Sequence, residues 1–325
     1  MASFSGYHML MALEIKENIP LAPYTIYKIG GLARFFVEAG AADEVRQALD
    51  FAVAQKLPFV IIGAGSNMLV SDHGFDGVAI RMIGGNMRVE GERLVCDAGV
   101  MMARAVLAAA QDGLGGFEWG IGVPGTIGGS VRGNAGCFGG EMKDVVESVE
   151  VFDSMQNAKL KIQNAECEFG YRGSIFKKYP EWIILSAVLK LEPGDAAAIQ
   201  QEVQRITMER LAKQDIGTKC CGCIFKNTAW GREDTDREKL MAQFPDLAAF
   251  ANQSHIPTSF LLDRAGLKGT RMGGAMISPK HANFFINEGS ASARDIRALI
   301  TRAKETVREK FGILIEEEIQ YIGEM

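Results

Sequence analysis

Two glycine-rich segments could bring main-chain atoms close to a phosphate group. Residues 63–67 read Gly-Ala-Gly-Ser-Asn and directly follow a predicted buried strand. Residues 123–136, which begin with Val-Pro-Gly-Thr, are similarly rich in glycine and small polar residues. Small residues let the backbone approach a ligand, and unpaired N–H groups present the positive ends of peptide dipoles to it. Two such loops could hold the diphosphate of one dinucleotide. The alternative interpretation is ordinary tight turns and close backbone packing.

The second of these segments overlaps a match to the Rossmann fingerprint, Gly120-x-Gly122-x-x-Gly125. That fingerprint requires a parallel strand before it and a regular βαβ unit around it. Residues 117–119 read Phe-Glu-Trp, which is a poor parallel strand, and the sequence contains no Gly-Lys-Ser/Thr phosphate loop. Both standard nucleotide-binding folds are therefore excluded.

Three cysteines lie close together at Cys220, Cys221 and Cys223. Zinc would need two further ligands at matched spacing, and the other cysteines are scattered singly, so no metal site is predicted. A redox pair should open a helix, whereas residues 224–227 read as a strand. One catalytic thiol beside Gly222 is the simpler functional interpretation, and a buried, unreactive cysteine is the alternative.

Two polar segments are further candidates. Residues 171–174 read Tyr-Arg-Gly-Ser and place a cation and hydroxyls in a turn, and residues 316–318 are three consecutive glutamates. On a strand, Glu316 and Glu318 would share one face and Glu317 would oppose them. Taken alone, such charges are usually solvated. No histidine has a Cys/His/Asp/Glu pattern around it, so no catalytic histidine is predicted. The four histidines are His8, His73, His255 and His281.

The first two-thirds of the chain alternate between strands and helices without a regular βαβ repeat, which favours an α+β fold. Helices are predicted at residues 42–55 and 101–112, and from 196 to about 213 with Asp195 as the N-cap. Strands are predicted at residues 34–38, 58–62, 78–82, 87–89, 93–96, 145–152, 158–162 and 183–191.

The last third is predicted to hold a second domain. Its elements are a cysteine-rich turn and strand at 220–227, helical segments at 237–251 and 258–265, an amphipathic helix at 292–311 and a strand at 313–322. The main boundary is placed at residue 194. Two α+β subdomains, about 14–66 and 67–194, would precede a C-terminal domain at 195–325, whose last strand could return to the first part.

Composition excludes several classes of protein. The chain has 325 residues, with 35 Lys+Arg and 40 Asp+Glu, so the net charge is 35 − 40 = −5. An apolar fraction of 47% excludes a disordered chain, and the acidic balance argues against a general nucleic-acid or anionic-membrane binder. No run reaches the roughly 20 apolar residues of a membrane span. Six cysteines in a chain of this length are no disulfide framework, and a cytoplasmic location is expected.

Nine segments, in the same order along the chain, resemble the UDP-N-acetylenolpyruvoylglucosamine reductase (UDP-N-acetylmuramate dehydrogenase) family of bacterial peptidoglycan synthesis. Each segment alone is weakly specific, whereas nine in order over nearly the whole chain are highly specific. They occupy residues 24–31, 63–72, 122–129 with 134–136, 171–176, 223–227, 265–269, 271–275, 280–284 and 311–323. The short interval between Ser186 and Cys220 resembles the shorter subtype of the family.

The resemblance implies an FAD-binding portion of the vanillyl-alcohol-oxidase type, followed by a smaller α+β substrate-binding domain. It implies noncovalent FAD, NADPH as co-substrate, and UDP-N-acetylglucosamine-enolpyruvate as the substrate that is reduced to UDP-N-acetylmuramate. No nucleic-acid or membrane partner is implied, and a monomer is expected. The residues that would contact the cofactor are Gly63, Ala64, Gly65, Ser66, Asn67, Pro124, Gly125, Thr126, Gly128, Gly129, Asn134, Ala135 and Gly136.

By the same resemblance, three residues would be catalytic. Arg172 would stabilise negative charge on the substrate, and Cys223 would protonate its α-carbon. Glu318 would hold Arg172, or orient or relay the proton. Substrate contacts are implied for Tyr171, Lys226 and Asn227.

The chain departs from the family pattern at three places. Cys223 stands where the family usually has serine, although a thiol is the stronger acid of the two. Residues 315–320 read Ile-Glu-Glu-Glu-Ile-Gln in place of the usual Leu-Glu-Pro-Glu-Val-Arg, and the alignment of this segment rests on Gly312 upstream and Gly323 downstream. Residues 132–133 read Arg-Gly where the family usually has an apolar residue.

Two other functions remain open at this point. One is a different flavin oxidoreductase of the same fold, for which His73 and Cys137 near the glycine-rich segments could attach the flavin covalently. The other is a non-catalytic nucleotide-sugar or metal-binding protein that uses residues 220–223.

Overall fold

The computed structural model describes residues 13–215 and 217–325. His8 and the rest of the first 12 residues lie outside the described part of the chain, as does Ile216.

The first sheet positions the first glycine-rich loop. Its strand order is β1-β2-β5-β3, with β1 antiparallel to β2 and with β2 and β3 parallel to β5. The loop at 63–67 leaves the carboxyl end of β3, an edge where ligands bind in many α/β folds. The elements of this part are β1 (Ile15–Pro20), β2 (Leu32–Ala39), α1 (Ala42–Gln55), β3 (Phe59–Ile62), β4 (Met68–Val70) and β5 (Phe75–Met82).

A second, antiparallel sheet has the order β12-β11-β13-β7-β6. Its elements and their neighbours are β6 (Met87–Glu90), β7 (Arg93–Asp97), α2 (Met102–Gln111), β8 (Leu114–Gly115), α3 (Ile127–Gly133), β9 (Gly136–Cys137), β10 (Gly140–Glu141), α4 (Met142–Val145), β11 (Val146–Asp153), β12 (Ala158–Gln163), α5 (Ile175–Lys178), β13 (Trp182–Lys190), β14 (Glu192–Pro193) and α6 (Ala196–Lys213).

One hydrophobic core joins the two sheets. It includes Val78 from the first sheet and Val149 from the second, both fully buried. Helix α6 adds Ile199, Val203 and Ile206 to the same core. This helix therefore packs against the preceding part of the chain, although the predicted boundary at 194 places it in the C-terminal domain.

The C-terminal part has a core of its own, built from buried residues such as Phe225, Phe285 and Leu299. Strands β17, β18 and β19 form a small antiparallel sheet, while β20 pairs in parallel with β4 of the first part. The elements are β15 (Thr228–Ala229), α7 (Arg237–Gln243), β16 (His255–Ile256), α8 (Thr258–Arg264), β17 (Arg271–Met272), β18 (Ala275–Ile277), β19 (Phe285–Asn287), α9 (Ala293–Phe311) and β20 (Gln320–Ile322).

The α+β class and the long helices are confirmed. Asp195 caps α6 as predicted, since its carboxylate accepts hydrogen bonds from the N–H groups of Ala197 and Ala198. The helix predicted at 237–251 ends early. Pro245 follows Phe244, which leaves the helical region (φ −130°, ψ 81°), and a 3-10 helix replaces the α-helix.

Two predicted strands are wrong in extent. Residues 220–227 contribute only single bridges, from Cys223 to Phe284 and from Phe225 to Glu317. The terminal strand predicted at 313–322 is regular only at Gln320–Ile322. Each segment pairs with short stretches of other segments and not with the full length of a neighbouring strand, so a regular ladder does not form along it.

No helix in the described residues is both long and apolar enough to cross a membrane.

Candidate active site

The first glycine-rich loop, residues 63–67, has small side chains and backbone N–H groups that can reach a ligand. Gly65 has φ +64°, and a Cβ there would lie 2.2 Å from the carbonyl oxygen of Tyr24. No hydrogen bond from the backbone N–H of Ala64, Gly65, Ser66 or Asn67 to another group in the described chain is found. These N–H groups are therefore available to a phosphate oxygen.

The second loop lies directly against the first. A Cβ on Gly63 would come within 2.7 Å of the Thr126 Oγ1, and one on Gly125 (φ +128°) within 2.9 Å of the Ser66 Oγ. The two loops are thus close enough to bind one ligand together. Their mutual approach depends on glycine at both positions.

A cavity of about 360 Å³ opens beside both loops. Gly63, Ala64 and Thr126 line it, together with the cations Lys28 and Arg81. The Arg81 guanidinium lies 5.0 Å from the centre of the Tyr24 ring and pairs with Glu38. Free N–H groups, small residues and nearby cations fit the phosphates of a dinucleotide.

Three residues predicted to contact the cofactor also form hydrogen bonds within the chain. Asn134 is fully buried, and its side chain bonds to Glu141, the Gly170 carbonyl and the Lys143 N–H. The Gly128 N–H donates to the Ala98 carbonyl, and the Gly129 N–H donates to the Thr126 side chain. These contacts indicate roles in shaping the second loop.

We expect Gly65→Ala to destabilise the fold by about 3 kcal/mol and to abolish cofactor binding, because it adds a clash to the cost of a left-handed conformation. Gly91→Ala is the matched control, since Gly91 has φ +63° and a Cβ added to it would meet nothing within 4 Å. It should cost about 1 kcal/mol. Urea unfolding and flavin content measure both effects, and equal losses in the two variants would contradict the proposed close approach.

Cys223 lies between the end segment and a loop of the C-terminal part. Its backbone bridges to Phe284, and the next residue, Ile224, accepts a 2.7 Å hydrogen bond from the Glu318 N–H. Ile224 also donates to the Asn283 carbonyl. The segment that carries Glu318 is therefore hydrogen-bonded to Ile224, the residue that directly follows Cys223.

Burial raises the pKa of the Cys223 thiol to about 12, and the Glu318 carboxylate adds to the increase. The charges of Arg172 and Arg210 act in the opposite direction. The thiol is therefore protonated at neutral pH. That is the state required of a proton donor, whereas a nucleophilic cysteine would need a lowered pKa.

Arg172 and Glu318 form an ion pair across the two parts of the chain. The Arg172 Nε lies 3.1 Å from both carboxylate oxygens, and both side chains are mostly buried. Burial alone would lower the pKa of Arg172, but the charge and hydrogen bond of Glu318, together with Tyr171 and Cys223, raise it overall. Acidic residues in such a run are usually solvated when taken alone, whereas Glu318 is mostly buried and paired with Arg172.

The turn that carries Arg172 is strained. Arg172 has φ +54°, an uncommon conformation for a residue with a side chain. The Lys177 Nζ holds its carbonyl at 2.7 Å, and Gly170 and Gly173 exchange backbone hydrogen bonds around it. Strain of this kind persists where the surrounding structure fixes a functional side chain.

The residues predicted to contact substrate lie beside this pair. The Tyr171 hydroxyl accepts a 2.9 Å hydrogen bond from the Asn227 N–H, and its ring packs 4.4 Å from His255. Lys226 pairs with Glu316 at 3.4 Å. The predicted catalytic and substrate-contacting residues therefore gather in one region.

The remaining cysteines are unpaired thiols. Cys221 is buried and contacts the Met68 carbonyl, while Cys220 contacts the backbone of Gly222. Nowhere in residues 13–215 and 217–325 do three or more His, Cys, Asp or Glu side chains gather as metal ligands would.

Sequence reasoning missed Arg210. Its guanidinium is buried, contacts the Cys137 sulfur at 3.1 Å and donates to the Gly122 carbonyl at 2.9 Å. Arg210 lies in α6, a helix rich in charged residues, so nothing in its local pattern distinguished it from its exposed neighbours. Lys177 was also missed, because it lies one residue beyond the matching segment at 171–176.

A larger cavity, of about 570 Å³, lies away from these residues, between α9 and the chain end. Two of the charged residues that line it, Lys304 and Glu317, pair with each other at 2.7 Å. The predicted catalytic and substrate-contacting residues gather around Cys223 and not at this cavity.

Comparison with known proteins agrees with this division of the chain. Residues 33–157 match the FAD binding domain family, and residues 214–322 match the family described as UDP-N-acetylenolpyruvoylglucosamine reductase, C-terminal domain. A UDP-N-acetylenolpyruvoylglucosamine reductase of Synechococcus sp. is 38% identical over 313 residues, covering 95% of this chain and 92% of the relative. That of Solibacter usitatus is 34% identical, covering 96% and 97%.

A solved structure is similar over nearly the same span. The UDP-N-acetylenolpyruvylglucosamine reductase of Thermus caldophilus superimposes with a TM-score of 0.75 at 30% identity, covering 96% of this chain and 99% of the other.

Proposed function

Because the chain belongs to the UDP-N-acetylenolpyruvoylglucosamine reductase family and binds FAD, we propose that it reduces UDP-N-acetylglucosamine-enolpyruvate to UDP-N-acetylmuramate with electrons from NADPH. The observation that carries the proposal is the convergence of Cys223 and the Arg172–Glu318 pair at the first glycine-rich loop, where the Asn67 side chain donates to the Glu318 carbonyl at 3.1 Å. When bound, FAD supplies the hydride chemistry that links NADPH to the substrate double bond.

Arg172 stabilises the negative charge that develops on the substrate. Hydride addition to one carbon of the enolpyruvyl double bond pushes electron density through the other carbon into the carboxylate. A guanidinium held in place before the reaction stabilises that charge without reorganising during it. The mostly buried ion pair and the fixed turn support this role.

Cys223 then donates a proton to the α-carbon. The S–H bond breaks, a C–H bond forms, and the electron pair left on sulfur gives a thiolate that solvent or a neighbouring group must reprotonate. The raised thiol pKa ensures that the proton is present when the substrate binds. The nearby Arg172 and Arg210 favour the thiolate once it forms.

Glu318 orients Arg172. Both of its carboxylate oxygens lie 3.1 Å from the Arg172 Nε, and this ion pair holds the guanidinium group in one orientation. Glu318 therefore acts through Arg172, and its own backbone anchors it beside Ile224.

Tyr171, Lys226 and Asn227 are proposed to bind the sugar diphosphate or the carboxylate. Lys226 is the most natural partner of a phosphate oxygen, and its present partner Glu316 is an exposed carboxylate that a ligand can displace. Asn227 uses its Oδ1 to accept from the Thr258 N–H, and no other hydrogen bond of its side chain is found in the described chain.

The decisive experiment is spectroscopic. The purified protein should be yellow, NADPH should bleach the flavin band under anaerobic conditions, and UDP-N-acetylglucosamine-enolpyruvate should restore it. Bleaching without recovery would favour the alternative of an FAD oxidoreductase with another substrate. Flavin that stays with acid-precipitated protein would contradict noncovalent binding and direct attention to His73 and Cys137. The free thiols and the nucleotide-sugar substrate support a cytoplasmic location.

A further inference from the structure

Lys177 contacts the backbone of the residue that carries the guanidinium of the reaction site. It lies in the short helix α5, and its Nζ donates a 2.7 Å hydrogen bond to the Arg172 carbonyl. Across residues 13–215 and 217–325, no other hydrogen bond of this ammonium is found, and no carboxylate lies within 4.0 Å of it. The half-buried Lys177 side chain is therefore directed at the Arg172 turn and not at a counter-charge.

The Arg172 turn has a conformation that needs such a contact. Arg172 has φ +54°, a left-handed conformation that is sterically disfavoured for a residue with a side chain. Gly170 and Gly173 close the turn with backbone hydrogen bonds of 3.0 and 3.1 Å, but neither bond uses a group of Arg172 itself. In the part of the chain that the structure describes, the Lys177 ammonium is the donor found on the Arg172 carbonyl. Lys177 therefore fixes the peptide group that follows the strained residue.

The start of α5 is itself held in place. Ile175 is buried, and its N–H donates to the Cys167 carbonyl at 2.8 Å. The Ser174 hydroxyl donates to the Arg132 carbonyl at 2.7 Å, which ties the helix to the end of α3. Lys177 therefore extends from an anchored element and can hold the turn in a defined position.

The charge of Lys177 is unfavourable where it lies. Burial lowers the pKa of its ammonium, and the positive charge of Arg132 lowers it further. Lys226 and Arg172 act in the same direction, while Glu318 opposes them. Because three cations surround this ammonium, its charge alone does not explain its place, whereas the hydrogen bond to the turn does.

The next residue of α5 has ordinary surroundings. Lys178 is exposed and pairs with Glu168 at the surface. Two consecutive lysines of one helix therefore differ, since one is solvated beside a counter-charge and the other is directed at Arg172. Lys178 is the matched control for the loss of one positive charge in this helix.

We propose that Lys177 is a positioning residue that holds the Arg172 backbone in the conformation in which its guanidinium pairs with Glu318. The inference rests on the proposed function, in which Arg172 stabilises charge on the substrate. Without the bond from Lys177, the turn can relax toward a commoner backbone conformation, and the guanidinium then leaves its orientation. The competing role is direct contact of the ammonium with an anionic group of the substrate.

The first test needs no substrate. In FAD-bound protein labelled with ¹⁵N-arginine, the Nε–H signal of Arg172 is identified by its loss in Arg172→Met, and its exchange with solvent is measured by NMR. Lys177→Met removes the donor, so exchange should be about tenfold faster than in the wild type, while Lys178→Met should leave it unchanged. Equal exchange in all three proteins would overturn the inference. Lys177→Gln, whose amide donor is too short to reach the same carbonyl, serves if methionine weakens folding.

The second test is kinetic. Lys177→Met should lower the limiting rate of flavin reoxidation by substrate about tenfold and leave the half-saturating substrate concentration and the reduction by NADPH nearly unchanged. Lys178→Met should behave as the wild type. In the Arg172→Met background, Lys177→Met should add little, since no guanidinium remains to be positioned. A higher half-saturating concentration at an unchanged limiting rate would overturn the positioning role in favour of substrate contact.

The two tests separate this inference from the proposed function. Wild-type protein that the substrate reoxidises at the same limiting rate as Lys177→Met would contradict this inference alone. Wild-type flavin that NADPH bleaches and the substrate fails to reoxidise would contradict the proposed function and the catalytic part of the inference with it. Faster Nε–H exchange in Lys177→Met would then still support the positioning of the Arg172 turn.

Discussion

Cys223→Ala is expected to leave the reduction of bound FAD by NADPH near its normal rate and to slow flavin reoxidation by the enolpyruvyl substrate by about 10²- to 10⁴-fold. The first half-reaction needs no proton from this residue. The second leaves a carbanion-like centre that the alanine side chain cannot protonate. Stopped-flow absorbance of the flavin band, recorded separately with NADPH and with substrate, measures the two rates.

Two variants give this prediction its controls. Cys223→Ser keeps a hydroxyl at the position where relatives usually have one and should retain much of the activity. Cys220→Ala removes a neighbouring buried thiol that packs against Phe284 and Ile286 and whose hydrogen bonds in the described chain are with the Gly222 backbone, and it should affect both half-reactions little. A loss shared equally by both half-reactions in Cys223→Ala would point to folding or cofactor binding and would remove the thiol from the proton transfer.

The pH dependence of the reoxidation rate is an independent test of Cys223 as the proton donor. An unperturbed thiol, with a pKa near 8.5, would lose its proton as the pH rises through that value. Burial raises the pKa of Cys223 to about 12, so the thiol stays protonated well above pH 8.5. The rate of reoxidation in the wild type should therefore not fall between pH 7 and pH 10 because of this group.

The sequence was sufficient for the elements that have strong periodicity or a clear cap. Helix α6 shows this, since Asp195 and the apolar positions 199, 203 and 206 define it. The catalytic residues came from segments whose meaning depends on the resemblance. Nothing in the periodicity of residues 316–318 distinguishes Glu318, which is paired and mostly buried, from Glu316, which stays exposed.

What the sequence could not supply was contact between distant segments. Residues 132–133 and 315–320 were each visible as departures from the family pattern, yet the 3.3 Å contact between Arg132 and Gln320 could not be predicted from either segment. In the same way, Asn134 was expected to contact the cofactor because of its place in a matching segment. Its buried hydrogen bonds to Glu141 and Gly170, which link the second loop to other segments, could not be predicted from the sequence.

Arg172→Met is expected to slow reoxidation of reduced flavin by the substrate about 10²- to 10³-fold and to spare reduction by NADPH. Methionine keeps a Cβ at φ +54°, so the backbone strain is unchanged and the loss reports the guanidinium alone. Glu318→Gln should have a smaller effect in the same half-reaction, because Arg172 keeps its charge and loses only its fixed direction.

The double variant Arg172→Met/Glu318→Gln separates these two roles. If Glu318 acts through Arg172, the loss in the double variant should be close to that of Arg172→Met alone, since nothing remains for Glu318 to orient. Multiplying losses would mean that Glu318 acts on the proton independently. Substrate-driven reoxidation that is unchanged in Arg172→Met would remove this guanidinium from the mechanism and would leave Lys177 and Lys226 as the cations to examine.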